Sequence, residues 1–366
     1  MYTHHFGLNK LPFENVPDPV FFFDEGDYAR VHNRIRESLK AGRGLIVVTG
    51  PIGSGKTTQS QKIIAEFSND IKLIWMAEPP SNSTDLFLFI AEELGLKPAT
   101  PEKTFVLRDI RDALMKINAA GSRCLVIIDE SHLMSDDTIN GVRLLNNLEE
   151  GPSKLIQLLL LGQEELLGII NRPDMEHFKQ RIASLEILGR MNSERVRHYI
   201  SHRIHVAGGN PSLFTDTGWE ALVLAAGTGG GIPRVVNLLC DRSLNAAFER
   251  NRTAVDVDDV YEAAEGLSLS KEIFHYKVSL KNRDKKIQAQ PAVENARPEK
   301  DIKINAQPVH PAPSFSRTQE EGRKGLKRPA LFLVISAAAL VLSIAFYCQR
   351  SDTDGIMSCI LELIGL

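Results

Sequence analysis

Short apolar runs alternate with longer amphipathic segments over the first 190 residues of the chain. Apolar runs rich in β-branched residues predict buried strands, and apolar residues spaced three or four apart predict helices. Strands that alternate with helices form parallel sheets with crossover connections, so we predict an α/β domain over residues 1–190. The strands are predicted over residues 45–49, 71–76, 124–128, 155–161 and 182–188, and the helices over residues 25–41, 56–67, 84–94, 104–119 and 139–149, with a short helix near Glu164.

The strand pattern stops near residue 190, and only helical periodicity follows. Each new helical segment begins at a residue typical of helix N-termini, namely Ser193, Thr215 or Asp216, Pro233, and Asp256. The helices are predicted over residues 193–207, 216–226, 232–249 and 256–267. We therefore expect an all-helical lid over residues 191–275.

The C-terminal part of the chain has a different composition. Residues 281–328 are rich in Lys, Asn, Gln, Pro and Glu, which predicts a flexible linker. Residues 330–348 carry no charge and are close to the ~20 apolar residues that span a bilayer. Basic residues crowd the N-terminal side of this stretch, so the positive-inside rule keeps the preceding residues in the cytoplasm and exports the tail, residues 349–366. The alternative is a buried core helix.

Composition limits the remaining classes of function. The chain has 43 Lys and Arg against 46 Asp and Glu, which gives a net charge of −3. This balance argues against a protein with a broadly basic surface for nucleic-acid binding. Its four cysteines lack metal-site spacing, and Cys124 and Cys240 lie in apolar segments typical of reduced core residues. The N-terminus shows no signal-peptide pattern.

The most informative motif is GPIGSGKT, which follows the first predicted strand and matches GxxxxGKT. Backbone N–H groups of such a loop, together with the N-terminus of the next helix, bind the phosphates of a nucleotide such as ATP. Lys56 reaches the β- and γ-phosphates, and the Thr57 hydroxyl is placed to ligate Mg²⁺. The predicted nucleotide-binding residues are Gly50, Pro51, Ile52, Gly53, Ser54, Gly55, Lys56, Thr57 and Thr58. The alternative without a bound nucleotide is a glycine-rich turn with a solvated lysine.

A second motif, Asp129-Glu130, ends the apolar run of residues 124–128. Ligands of open α/β sheets bind at the carboxyl ends of the strands, so this pair is predicted to lie beside the phosphate-binding loop. Asp129 is the predicted Mg²⁺ ligand, and Glu130 is predicted to polarise the attacking water. The alternative is that the pair only caps a helix that begins near Ser135. His132 is at least as well explained by a helix-start or supporting role as by a catalytic one.

Three further polar residues are candidates to complete the site. Gln163 ends the strand predicted beside that of Asp129, where it can touch the γ-phosphate or the water; the alternative is a helix start. Arg234 begins a lid helix and can fold back over the phosphates, unless it is a surface arginine. Arg181 precedes the last strand, where it can enter a neighbouring subunit's site as an arginine finger or simply end a helix.

These motifs together resemble the GspA/ExeA family of general secretion pathway ATPases over roughly residues 1–270. The resemblance implies an AAA+ fold, ATP hydrolysis with Mg²⁺, ring-like self-association and an inner-membrane location with the ATPase domain in the cytoplasm. GspA-type proteins typically carry a periplasmic peptidoglycan-binding domain after the span, whereas only the short tail follows here, so we expect no direct peptidoglycan binding. The motifs are Phe6-Gly7-Leu8, Pro12-Phe13, Pro17-Asp18-Pro19, residues 50–57, Asp129-Glu130, Gly162-Gln163, Gln180-Arg181-Ile182, residues 199–204 and Gly231-Ile232-Pro233-Arg234.

Three functions fit this sequence. The first is a membrane-anchored ATPase that drives or organises assembly of an envelope machine for secretion, pilus formation or polysaccharide export. The second is a nucleotide switch that acts on DNA, but the lid's Arg195, Arg197, His202 and Arg203 are too few for a convincing DNA-binding module. The third is a nucleotide-dependent membrane scaffold. We expect the first, with envelope proteins, further copies of the chain and lipid around residues 330–348 as partners, and no nucleic acid.

Overall fold

The computed structural model describes residues 1–69 and 71–288 of the 366-residue chain. Its strands are β1 (Leu45–Thr49), β2 (Ile71–Met76), β3 (Arg123–Ile128), β4 (Glu149–Glu150), β5 (Ser153–Lys154), β6 (Gln157–Gly162) and β7 (Ile182–Ile187). Five of them form one parallel sheet in the order β2-β3-β6-β1-β7, and β4 and β5 form a small antiparallel hairpin. The predicted parallel sheet with crossover helices is confirmed.

Helices cover the sheet and then continue without strands. They are α1 (Tyr2–His5), α2 (Gly26–Lys40), α3 (Lys56–Phe67), α4 (Ser83–Glu93), α5 (Lys103–Ala119), α6 (Asp136–Asn146), α7 (Glu165–Ile170), α8 (Glu176–Lys179), α9 (Ser193–Val206), α10 (Asp216–Thr228), α11 (Pro233–Glu249), α12 (Val257–Glu265) and α13 (Lys271–Gln288). The described part of the chain therefore has an α/β portion followed by a helical portion.

The three inner strands of the sheet, β3, β6 and β1, are buried on both faces, as a parallel sheet covered by crossover helices requires. Along β1, Ile46 and Val48 belong to the core cluster that also contains α2 and lid side chains. Leu45 and Val47 point to the opposite cluster, which includes side chains of α4 and α5. Continuous apolar runs, rather than alternating ones, therefore mark these strands in the sequence.

Local capping explains why the lid helices begin where they do. The Thr215 hydroxyl accepts a hydrogen bond from the Gly218 N–H at the start of α10. Asp256 and Asp259 form a capping box at the start of α12. Pro233 occupies the first turn of α11, where a missing N–H costs nothing. These start signals are visible in sequence, and the predicted helix starts are confirmed to within a residue.

Two predicted boundaries were wrong. The helix predicted over residues 139–149 spans Asp136–Asn146, because the Ser135 hydroxyl accepts from the Thr138 N–H and the chain then enters the β4–β5 hairpin. The linker was predicted from residue 281, but α13 continues to Gln288. This stretch is rich in Lys, Arg and Gln, which are good helix formers despite their polarity.

Several predictions concern residues outside the described part of the chain. The remainder of the linker to residue 328, the membrane span over residues 330–348 and the tail over residues 349–366 all lie there. Among the residues that are described, no helix is both long and apolar enough to cross a membrane. Cys124 and Cys240 are buried free thiols, in agreement with their predicted place in the core.

Candidate active site

Strand order brings the predicted motifs to one edge of the sheet. β1 lies between β6 and β7, and β6 also pairs with β3. In the register of β1 and β6, Thr49 is opposite Gly162, so the phosphate-binding loop and Gln163 both leave the sheet at this edge. Asp129 follows the last residue of β3 at the same edge. Three separate chain segments thus become neighbours because parallel strands end together.

The loop before α3 depends on glycine at two positions. Gly53 and Gly55 have φ values of +75° and +96°, in the left-handed region that side chains with a Cβ rarely adopt. A Cβ on Gly53 would lie 2.6 Å from the Cβ of Arg234, so the lid approaches the loop too closely for any larger residue. The Arg234 N–H also donates to the Gly53 carbonyl at 3.3 Å. The predicted loop and the predicted lid arginine are therefore in direct contact.

Lys56 is buried at the first turn of α3, with 6% of its surface exposed. Its Nζ donates to the carbonyls of Gly50 and Pro51 at 2.9 and 3.0 Å. Burial lowers the pKa of Lys56, and the nearby carboxylates of Glu130 and Asp129 partly oppose that shift. The ammonium is thus held by two neutral carbonyl oxygens of the loop. The charged oxygens of a phosphate can replace them as stronger acceptors.

Thr57 and Asp129 place two oxygen atoms side by side. The Thr57 hydroxyl donates to Asp129 Oδ2 at 2.7 Å, and the Glu130 N–H donates to Asp129 Oδ1 at 2.9 Å. Burial raises the pKa of Asp129, and these two hydrogen bonds pull the pKa back down. Hydroxyl and carboxylate oxygens are the ligands that Mg²⁺ prefers, with the remaining positions left to water and phosphate. The pair therefore fits Mg²⁺.

The described residues contain no group of three or more His, Cys, Asp and Glu side chains that could hold a metal ion. A cage built from protein ligands alone, as structural zinc requires, is therefore absent from this part of the chain. Mg²⁺ differs because it usually binds one or two protein oxygens together with substrate phosphates. The sparse Thr57–Asp129 pair is consistent with that mode of binding.

Glu130 sits in a strained backbone conformation with a φ of +48°. Its Oε2 accepts a hydrogen bond from Gln163 Nε2 at 3.2 Å and lies 3.4 Å from His132 Nδ1. The alternative that Asp129-Glu130 merely caps a helix is wrong, since Ser135 itself caps α6. Glu130 and Gln163 both line the same cavity as the phosphate-binding loop.

That cavity encloses about 900 Å³ of empty space, part of it open to solvent. One wall, which we call the phosphate wall, consists of residues 52–58, Glu130, Gln163 and Arg234. A second wall is formed by the strap, which we define as residues 12–23, together with Tyr28 of α2 and lid side chains. The residues of this strap wall are Glu14, Asn15, Val16, Pro17, Phe21, Phe22, Phe23, Tyr28, Tyr199, Arg203 and Asn237.

Arg203 fastens the strap to the lid, a role that no pattern in the sequence predicts. The residue is 7% exposed, and its guanidinium donates to the carbonyls of Pro12 and Glu14, the second at 3.2 Å. It also donates to the Tyr199 hydroxyl at 3.0 Å and stacks 4.7 Å from the ring centre of Phe21. Pro12, Glu14 and Phe21 lie far from Arg203 in sequence, and the pattern of α9 does not single out Tyr199. Only the fold therefore reveals these contacts.

A chain of polar contacts extends from Arg203 along the strap wall. The Tyr199 hydroxyl donates to Asn237 Oδ1 at 2.9 Å, and Asn237 Nδ2 donates to Asn15 Oδ1 at 3.1 Å. Asn237 is one turn beyond Arg234 on α11. The helix that carries the predicted phosphate sensor therefore also carries a contact to the strap. Phe21, Phe22 and Phe23 of the strap line this cavity and are buried.

Arg181 is the one predicted site residue that lies away from the others. It is exposed in the turn between α8 and β7, and it is not among the residues that line the cavity. This position gives Arg181 no direct route to a nucleotide in its own subunit. Its predicted role in a neighbouring subunit stays a prediction.

Comparisons with known proteins agree with this geometry. The AAA domain family matches residues 39–170. General secretion pathway protein A from Aeromonas hydrophila is 33% identical over 267 residues, which are 72% of this chain and 48% of that protein. DNA polymerase III subunit tau from Bacillus subtilis is 32% identical over 151 residues, 39% of this chain and 26% of that protein. The chain therefore spans at most about half the length of these curated relatives.

Solved structures share the fold at much lower sequence identity. Cdc6p from Pyrobaculum aerophilum has a TM-score of 0.53 at 14% identity, covering 69% of this chain and 71% of that one. The ORC1 protein of Aeropyrum pernix, solved in complex with DNA, has a TM-score of 0.51 at 17% identity, covering 70% and 69%. These likenesses establish an AAA+ fold with its helical C-terminal part. The AAA domain match and the 33% identity to protein A over 72% of this chain make the chain similar to the GspA-type AAA ATPases.

Proposed function

We propose that this protein is a membrane-anchored AAA+ ATPase that drives or organises assembly of an envelope machine for secretion, pilus formation or polysaccharide export. The observation that carries the ATPase part is the convergence of the phosphate-binding loop, Glu130, Gln163 and Arg234 on one cavity. The envelope part is supported by the identity to general secretion pathway protein A. The reaction is ATP + H₂O → ADP + phosphate.

Nucleotide binding begins with the phosphates. The backbone N–H groups of the loop and the N-terminus of α3 attract them, since both present partial positive charge. Lys56 exchanges the carbonyls of Gly50 and Pro51 for phosphate oxygens. Thr57 and Asp129 would hold Mg²⁺, which would neutralise part of the phosphate charge.

Hydrolysis then depends on two side chains at the strand ends. Glu130 acts as the general base that takes a proton from the attacking water. Gln163 donates to Glu130 and is placed to contact the water or the γ-phosphate as well. Arg234, whose backbone already touches Gly53, reports the phosphate state to the lid through α11.

We propose further that the active form is a ring-like oligomer in which Arg181 enters the neighbouring site. Its exposure and its distance from its own cavity support this role. Arg181→Ala should lose turnover by roughly 10³-fold, the lower end of the range for arginine fingers, while nucleotide affinity stays nearly intact. An equimolar mixture with Lys56→Ala should regain activity, because each variant supplies what the other lacks. A mixture that stays inactive would remove the support for action in trans.

Membrane anchoring through residues 330–348 and a cytoplasmic ATPase domain are the remaining parts of the proposal, supported by the uncharged stretch and its basic flank. The test is capture of partners from native membranes with full-length Glu130→Gln, which traps ATP, against Lys56→Ala as the empty control. We expect secretin, pilus or export components to be enriched only with the trap.

A nucleotide switch on DNA is the rival function. Its support is that relatives of the same fold include a DNA polymerase subunit and a protein solved in complex with DNA. The lid's cations are mostly engaged, however: Arg195 pairs with Asp27, Arg197 with Glu220, and Arg203 is buried under the strap. Enrichment of DNA and nucleoid proteins in the same capture experiment would favour the switch and overturn our assignment.

A further inference from the structure

The two carboxylate oxygens of Glu130 have different surroundings. Oε2 accepts from Gln163 Nε2 at 3.2 Å and lies 3.4 Å from His132 Nδ1. Over residues 1–69 and 71–288, no hydrogen-bond donor is bound to Oε1. One oxygen is therefore held by the protein while the other is left to a ligand. This asymmetry suits a general base, which needs a fixed orientation and one open lone pair.

His132 is built into this site rather than placed at its edge. It lies in the 3₁₀ turn Ser131–Leu133, which the Ser131 hydroxyl ties back to the Ile128 carbonyl at 2.8 Å. Its side chain is 13% exposed, and its Nδ1 is fully buried without an aligned hydrogen-bond partner among the described residues. A buried ring nitrogen without a partner is costly, so a role in another state of the site is expected.

We propose that His132 is a positioning residue for Glu130: in the ATP-bound state its Nδ1–H donates to Oε2, and together with Gln163 it leaves Oε1 facing the attacking water. This inference rests on the proposed ATP hydrolysis. The contact of 3.4 Å needs only a small adjustment to become a hydrogen bond. Catalytic hydrogen bonds are often long in the free enzyme and tighten when substrate binds. Glu130 and His132 are separated in sequence only by Ser131. The left-handed backbone at Glu130 accompanies the contact between its carboxylate and the His132 ring.

The test compares three substitutions in the full 366-residue chain. Asn places an amide N–H close to the position of Nδ1, Gln places its amide where Nε2 lies, and Ala removes the donor. We expect His132→Ala and His132→Gln to lower kcat by about 10- to 100-fold, as loss of an orienting partner does. His132→Asn should stay within about 3-fold of the unchanged protein, and KM should change less than about 2-fold in all three because the contact acts on the chemical step.

A double-mutant comparison separates positioning from a structural role. If His132 acts through the carboxylate, His132→Ala should lower the residual rate of Glu130→Gln by less than about 2-fold. Equal losses in both backgrounds, or equal rates for the Asn and Gln variants, would overturn the inference. If His132→Ala does not fold, the Asn and Gln variants still decide the question. If the unchanged protein does not hydrolyse ATP, the proposed function itself is refuted.

Discussion

The phosphate wall and the strap wall enclose the same cavity but are assembled in different ways. The phosphate wall comes mainly from one continuous loop and from the residues that follow two neighbouring strands. The strap wall joins residues as far as 222 positions apart, as in the hydrogen bond from Asn237 to Asn15. The first wall is therefore set mainly by the backbone geometry of one loop and by the shared end of parallel strands, and the second by tertiary packing between the N-terminus and the lid.

This difference predicts a division of labour. The phosphate wall carries charge and polar groups with few stabilising contacts, so its side chains should matter for binding and turnover more than for stability. The strap wall carries buried aromatics and a buried arginine, so its side chains should matter for stability and for coupling the strap to the lid. Substitutions can test whether the two walls really separate in this way.

The largest effect is expected on the phosphate wall, from Lys56→Ala. Removal of the ammonium should weaken ATP binding by at least about 100-fold, or ~3 kcal/mol, because the phosphate charge loses its main counter-ion. Thermal stability should hardly change, since Lys56 donates only to two carbonyls of its own loop. Fluorescent-nucleotide titration and thermal melts measure both. Lys97→Ala, at an exposed lysine, is the control.

On the strap wall, Arg203→Ala should lower the free energy of unfolding by about 3 kcal/mol, because it leaves the carbonyls of Pro12 and Glu14 without this donor and removes a buried, stacked side chain. Denaturant unfolding of the full-length protein measures this change in the free energy of unfolding. Arg197→Ala on the same helix is the matched control and should cost at most about 1 kcal/mol, since its pair with Glu220 is exposed. Equal losses for the two arginines would show that the strap is not fastened as described.

A smaller effect is expected at Asn237, a strap-wall residue on α11, the helix that also carries Arg234 of the phosphate wall. Asn237→Ala removes the contact to Asn15 and one partner of Tyr199, which should cost about 1 kcal/mol of stability. Because α11 also carries Arg234, ATP should protect the strap from proteolysis less in this variant than in the unchanged protein. Asn245→Ala, farther along the same helix, is the control. Identical protection in both variants would argue that the strap does not sense the lid.

Much of the fold could be predicted from sequence where local signals are strong. β1 and α3 have the predicted limits, because a glycine-rich loop marks the end of one and the start of the other. The end of the helix predicted over residues 139–149 was wrong because the chain turns into the β4–β5 hairpin after Asn146, and α13 was missed because its sequence is polar. Such errors arise where packing or capping, rather than hydrophobic periodicity, sets the boundary.

The same contrast applies to the site. Residues 52–58, Glu130, Gln163 and Arg234 line the cavity as the motifs predicted. Arg203 was counted among the lid's basic residues, yet it is buried against strap carbonyls. Nothing in the periodicity of α9 marks this arginine as internal, because its partners lie 189 and 191 positions earlier in the chain. Long-range polar contacts of this kind become visible only in three dimensions.

The most direct test of the account is ATP hydrolysis by Glu130→Gln beside the unchanged protein, with ATP affinity measured on the same samples. The account predicts that the unchanged protein hydrolyses ATP with Mg²⁺, and that the variant binds ATP within about 3-fold of it. The variant's turnover should fall by at least about 100-fold, because a general base contributes 10²–10⁴-fold to such a step. Undiminished hydrolysis by Glu130→Gln would contradict the assignment of this cavity as the catalytic site.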